Sequence, residues 1–384
     1  MGLLRYYSER QSNIELLRIL AIAGVIVLHY NNPTIGGGLQ YTTPNSLNYL
    51  LLCFLESVNI CAVDLFFMIT GYFMATKYKR DIRKPIESIV QVILYRLAFQ
   101  VISSFVKGTF SIRTILVCFL PTSYFVIFYC VIFFLSPYVN RLFDSLSYKS
   151  ALRFVSILAA FFSLHCTFVQ ILSNIKGAQI SGLDSVGLYG SQSGYNIANF
   201  LMAYTIGAFL RKYMIKERFT SKWRLAKAFF ICAFLITFWW IGGNMITTAA
   251  LSYKEIDFFN RTAWIYCNPL VVCEAVIVLL LFLNINIGCN KIINMFSSGV
   301  FSVFLLHGHL IRHLGIERFV QGNTLVMCGH IILSACVIIV ICTIVHYVYK
   351  AVMTPVFNRI FNKKIVVIDL ENASDASEHK ALPY

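Results

Sequence analysis

The sequence predicts an all-α integral membrane protein, a bundle of about ten transmembrane helices with both termini in the cytoplasm. Three observations predict it. The 384 residues are 58% hydrophobic and 13% charged, with a mean hydropathy of +0.71, whereas soluble domains run to about a quarter charged. Apolar runs of about 18 residues or more recur along the chain, each long enough for a hydrocarbon core of roughly 30 Å. Lys and Arg concentrate in alternate short loops, the pattern of cytoplasmic loops in a multi-pass protein.

The expected spans are 13–31, 56–76, 86–106, 123–140, 152–172, 195–212, 224–243, 263–286, 296–315 and 325–349. In the first, every residue from Ile19 to Leu28 is apolar. The loop 31–55 after it has no Lys or Arg, whereas Lys77, Lys79, Arg80, Arg83 and Lys84 crowd the next. That contrast sets the N-terminus inside. Carried forward, it also sets inside Arg141, Lys149, Arg153, the cluster from Arg211 to Lys227, Lys291, Arg359, Lys363 and Lys364. Outside fall only Lys107, Arg113, Lys176, Lys254, Arg261, Arg312 and Arg318. Residues 107–122, apolar and punctuated by Pro121, read as a short interfacial or re-entrant segment. The outer loops 173–194 and 244–262 are expected to floor a polar cleft. Residues 1–350 read as one transmembrane domain and 351–384 as a cytoplasmic tail, polar and expected to be disordered from Asp369 onward. No internal repeat and no cleavable leader are expected: the first span holds polar groups that a signal core avoids, and no small-residue cleavage site follows it.

The net charge of +15 follows from the one-sided loops and does not imply nucleic acid. The twelve cysteines lie mostly within apolar runs, with no C-x-x-C and no histidine at zinc spacing, so they read as small buried hydrophobes and no metal is expected.

Ionisable side chains inside spans are costly and mark candidate sites. Glu15, Arg18 and His29 fall along one stripe of the first span. Arg18 and His29 are eleven residues apart, which on a helix means about 20° in direction and about 16 Å along the axis. A histidine takes a proton from an alcohol near neutral pH; the plainer reading is an interfacial histidine bonded to a carbonyl, with Arg18 paired to Glu15. In the second span Asp64 and Gly71, seven residues apart, share a helix face and Thr70 adds a hydroxyl beside the glycine; glycine there also permits close helix packing. His307, His309, Arg312 and His313 cluster in the ninth span with no carboxylate or cysteine to complete a metal site. Glu87, Gln91 and Tyr95 form a polar stripe suited to interhelical hydrogen bonds. Glu56 and Glu274 are further acids in apolar surroundings with no evident role.

Glu15-Leu-Leu-Arg18, the histidine beyond it and Val63-Asp-Leu-Phe-Phe-Met-Ile-Thr-Gly-Tyr-Phe73 resemble the membrane-bound acyltransferase family three, the bacterial O-acyltransferases of surface polysaccharides. Residues 123–140 and Ser302-Val-Phe-Leu-Leu-His307 resemble its Gram-positive capsule branch. The resemblance implies catalytic roles for His29 and Asp64. It implies donor binding by Arg18, with Arg80 and Arg83 standing where many members carry an arginine-rich motif, at a different spacing. Glu15, Thr70, Gly71 and His307 would support the site, Thr70 replacing the usual serine.

The function so implied is O-acetyl transfer from cytoplasmic acetyl-CoA to a hydroxyl of a capsular or other surface polysaccharide, or its lipid-linked repeat unit, in a bacterial plasma membrane. His29 would serve as general base or as acyl carrier. No G-x-S-x-G supports a serine mechanism. The alternatives are a transporter or flippase for a glycan or small solute, and a glycan polymerase. The first should show two-half symmetry and the second a long outer loop; the sequence has neither.

Overall fold

The computed structural model describes residues 11–108, 110–120, 123–176, 194–213, 221–250, 260–361 and 365–370. In chain order these form α1 (Ser12–Asn31), α2 (Leu47–Asn59), α3 (Ala62–Met74), β1 (Lys79–Asp81), α4 (Arg83–Lys107), α5 (Ile112–Cys118), α6 (Tyr124–Ser145), α7 (Tyr148–Ala159), α8 (Cys166–Lys176), α9 (Ile197–Tyr213), α10 (Lys222–Ala250), α11 (Pro269–Leu283), α12 (Lys291–Ser298), α13 (Val300–Ile311), α14 (Thr324–Ile360) and β2 (Val366–Asp369). Single helical turns add Gly38–Tyr41 and Ile316–Val320.

Among the described residues, eight stretches are long and apolar enough to cross a membrane. A ninth is the pair α12 and α13, bent by 57° at Gly299. At the bend α14 comes close: a Cβ at Gly299 would stand 2.7 Å from the Thr343 hydroxyl and 3.1 Å from its Cα, so glycine is what allows that approach. The segment expected at 195–212 is α9, 17 residues long, or about 25 Å. It is almost wholly buried within the bundle.

Several boundaries differ from the sequence expectation. The second span begins at Leu47, not 56, because Ser46 caps α2 by accepting from the Tyr49 amide at 3.2 Å. It is interrupted at Ile60–Cys61 before α3 continues. A π-helical stretch at Ala160–His165 joins α7 to α8. The last helix runs to Ile360, 37 residues in all, or about 55 Å, well beyond a hydrocarbon core of roughly 30 Å. Residues 351–360 therefore continue a helix, and β2 after it pairs antiparallel with β1, Arg80 opposite Ile368. Lys79 pairs Asp369 at 3.3 Å across this ladder. The stretch expected as interfacial or re-entrant contains the short helix α5. The tail expected to be disordered lies, from residue 371, outside the described residues, as do most of the two outer loops expected to floor a cleft.

The core is centred on α1, α3 and α9, whose inward faces are fully buried. The α3–α9 contact is set by a reciprocal pair of glycines. A Cβ at Gly71 would sit 2.0 Å from the Tyr204 carbonyl oxygen, and one at Gly207 would sit 2.0 Å from that of Met68. Both glycines let the backbones touch, the usual device for packing helices in lipid. The start of α1 is docked by Ser12, whose hydroxyl accepts from the Asn290 amide at 2.7 Å and donates to Asn294 Oδ1 at 3.0 Å.

Candidate functional site

Helix α1 carries Glu15, Arg18 and His29 up one side, and the bent α12–α13 pair meets it at both ends. At the end near β1, Glu15 is buried and accepts from the Ser297 hydroxyl in a short contact. Its carboxylate also pairs Arg18 Nη1 at 3.3 Å. Arg18 keeps about a third of its side chain exposed, 32%, and its guanidinium lies 5.2 Å from the Phe73 ring centroid. It faces a cavity of about 320 Å³ shared with Thr70, Ser88, Tyr129 and Ser298. Thr70 itself donates to the Phe66 carbonyl at 2.7 Å. Arg18 is thus both paired and adjacent to open space, whereas Glu15 is paired and buried behind it.

At the far end of α1, His29 meets His307 of α13. The ring centroids are 4.6 Å apart with planes inclined by 28°, and His29 Nδ1 lies 2.5 Å from His307 Nε2. His307 Nδ1 is 2.9 Å from the Val303 carbonyl oxygen, which can only accept. With both rings neutral, that contact places the His307 proton on Nδ1 and leaves a lone pair on its Nε2. His29 Nδ1 must then donate, and His29 Nε2 is the unprotonated nitrogen. This chain fixes one tautomer of His29 through a backbone carbonyl, where triad enzymes use a carboxylate.

His29 lines two cavities at once. One, of about 350 Å³, holds Glu56, Asn31, Tyr124, Tyr195, Trp240 and Trp264 on its walls. The other, of about 330 Å³, adds His307, His309, Tyr95 and Arg96. Phe125 and Phe304 line both the cavity at Arg18 and the aromatic cavity at His29. Their rings stand 4.6 Å apart, so the space by Arg18 and the space by His29 are separated by an aromatic partition.

Not every residue expected at the site is there. Asp64 is fully buried on the α3–α9 seam, where its Oδ1 accepts from Asn199 Nδ2 at 3.1 Å, and it lines none of these three cavities. Gly71 belongs to the same seam. Arg80 is turned inward, 2% exposed. Its Nε donates to the Phe133 carbonyl and the Ser136 hydroxyl, each at 2.9 Å, and its Nη1 to the Lys79 carbonyl at 2.8 Å. Those bonds make it a clamp between β1 and α6 and leave it poorly placed to meet a phosphate. Arg83 donates to Glu87 at 2.6 Å and to Asn358 at 2.8 Å, tying α4 to α14.

A further cation of the basic loop, Lys77, is electrostatically coupled to Arg18 without lining its cavity. Its ammonium is held below the ordinary lysine range, first by desolvation and then by the charges of Lys84, Arg80 and Arg18. Together they make the basic end of the bundle electropositive beside the Arg18 cavity. In the sequence, Lys77 was one basic residue among five in a loop. Only the fold sets it beside Arg18.

No group of three or more metal-ligating side chains occurs among the described residues. Comparison with curated proteins and with solved structures finds no match. The acyltransferase domain profile of family three matches residues 11–348, a span that includes Arg18, His29 and His307. On that match, covering most of its length, the chain is a membrane acyltransferase of family three.

Proposed function

We propose that this protein moves an acetyl group from acetyl-CoA, bound at the basic cytoplasmic end, to a hydroxyl of a surface polysaccharide or its lipid-linked repeat unit in a bacterial plasma membrane. The observation that carries this reading is the free Nε2 of His29, on a ring that lines the cavities beyond the Phe125–Phe304 partition. Arg18 and Lys77 meet the donor's phosphates, and the thioester arm reaches past the partition along the α1 stripe. His29 Nε2 takes the proton of the acceptor hydroxyl as its oxygen attacks the thioester carbonyl. The carbon–sulfur bond then breaks, the thiolate leaves, and it recovers the proton from His29. A transient acetyl on Nε2 requires the same free nitrogen.

The test uses purified protein in lipid nanodiscs, labelled acetyl-CoA, and the cell's own envelope polysaccharide stripped of O-acyl groups by mild alkali. The wild type is expected to label the polysaccharide, and His29→Gln, folded and inserted normally, is expected to abolish labelling. Persistent labelling by His29→Gln would refute His29 as the reacting group.

A further inference from the structure

The aromatic cavity beside His29 contains a carboxylate that the acyl-transfer steps do not use. Glu56, half-buried on α2, turns its side chain into that cavity. Its Oε2 accepts from Asn31 Nδ2 at 2.8 Å. The same Asn31 amide donates to the Leu52 carbonyl at 3.2 Å, so Asn31, 1% exposed, pins the carboxyl in one orientation. Among the described residues no cation pairs with Glu56. One carboxyl oxygen is thus held by the scaffold, and the other is left open at the cavity that Glu56 lines.

The walls around it suit a ring with an apolar face and polar edges. Trp240 and Trp264 stack with centroids 3.5 Å apart and planes 14° apart. Their indole N–H groups are fixed elsewhere, on the Tyr49 hydroxyl at 3.2 Å and the Ser57 hydroxyl at 3.1 Å. The aromatic surface is thereby held rigid, with its donors turned to the scaffold. A cavity of about 350 Å³ is within the range that holds small ligands by apolar walls and a few placed polar groups.

We propose that Glu56 is the acceptor-anchoring residue: its free carboxyl oxygen accepts a hydrogen bond from a pyranose hydroxyl next to the one acetylated, while the aromatic wall packs against the sugar ring. This rests on the acyl-transfer reading above and names which end of the site selects the acceptor. Glu56 exchanges no proton with the reacting hydroxyl; it positions the sugar so that another hydroxyl meets His29 Nε2. Acceptors lacking that neighbouring hydroxyl leave the carboxyl without a partner and are rejected, the strongest form of discrimination a polar site offers.

The experiment compares wild type, Glu56→Leu and Glu56→Gln in nanodiscs, with alkali-stripped envelope polysaccharide as acceptor and labelled acetyl-CoA as donor. A melting curve for each variant shows that it is folded, and Glu56→Gln serves if Glu56→Leu is not. Expected is an acceptor KM raised about tenfold or more in Glu56→Leu, and by less in Glu56→Gln, which keeps one accepting oxygen. The KM for acetyl-CoA and the maximal rate should stay near wild type. Quenching of tryptophan fluorescence by the stripped polysaccharide, without acetyl-CoA, should shift to higher concentration by the same factor. An unchanged acceptor KM in a folded variant overturns the anchor and leaves the acyl-transfer reading standing. A collapse of the maximal rate at unchanged acceptor KM overturns it too, since that is the signature of a proton-transfer role. A wild type inert toward the polysaccharide sinks the acyl-transfer reading, and the anchor with it.

Discussion

Replacing His307 by phenylalanine tests the tautomer argument directly. Phenylalanine keeps an aromatic ring beside His29, but it removes both the acceptor facing His29 and the donor facing Val303. The hydrogen bond lost to a reacting imidazole that gains charge is worth about 1.5–3 kcal/mol, roughly a ten- to hundredfold change in rate. To that is added the fraction of His29 that adopts the other tautomer. In a triad enzyme, removing the tautomer-setting partner costs about 10⁴ in kcat. The expected loss here lies between, at about 10²–10³ in kcat. The KM for acetyl-CoA should be unchanged, since His307 lines neither the Arg18 cavity nor its basic surround. His307→Gln, which offers an accepting oxygen, should recover part of the rate. Steady-state transfer assays supply kcat and KM, and ¹⁵N shifts of histidine-labelled protein report which His29 nitrogen is protonated. Wild-type kcat in His307→Phe, or a His29 that carries its proton on Nε2 in the wild type, would refute the reasoning.

Two further tests address packing and the donor side. Gly71→Ala must force α3 off α9, because its Cβ would stand 2.0 Å from the Tyr204 carbonyl oxygen; an overpacking cost of about 1–3 kcal/mol should lower the melting temperature in detergent. Gly308→Ala, with nothing within 4 Å of the added carbon, should melt at or above the wild-type temperature, and equal effects at both positions would contradict the seam. At the basic end, desolvation and the Lys84, Arg80 and Arg18 charges lower the Lys77 pKa, so its charge is lost at a lower pH than for a free lysine. The KM for acetyl-CoA should accordingly rise as pH increases through that lowered value, and Lys77→Met should show a raised KM that no longer responds. A wild-type KM flat across the alkaline range would exclude Lys77 from the donor site.

The helical class and most spans were legible because lipid demands long apolar runs. The interruptions were not. The break at Ile60–Cys61 and the bend at Gly299 carry no proline, and the close neighbour of Gly299, Thr343, belongs to another helix. Arg18 and His29 were legible as a stripe, since helix period alone puts them on one side. The partner of His29 was readable only as a histidine in a late segment; its approach joins residues 278 positions apart, and no local pattern encodes that. Arg80 illustrates the converse. Among the basic residues of one loop, nothing in the sequence marks the one whose guanidinium folds inward onto Phe133 and Ser136. Asp64 was singled out as an acid in an apolar run, but the same cost of burial that made it conspicuous is met in part by Asn199 on the neighbouring helix.

The pairing of β1 with β2 has a consequence for how the molecule is made. The loop next to Lys77 finds its partner only in residues 366–369, after every described helix has been synthesised. Until then the backbone of residues 79–81 has unsatisfied edges, and Arg141 lacks the Leu370 carbonyl that it grips in the finished protein. Loss of this strand would remove the ladder that ties residues 79–81 to the chain beyond α14. The contact between residues 79–81 and 366–369 therefore closes only once α14 has been made, which places this ladder among the last described contacts to form.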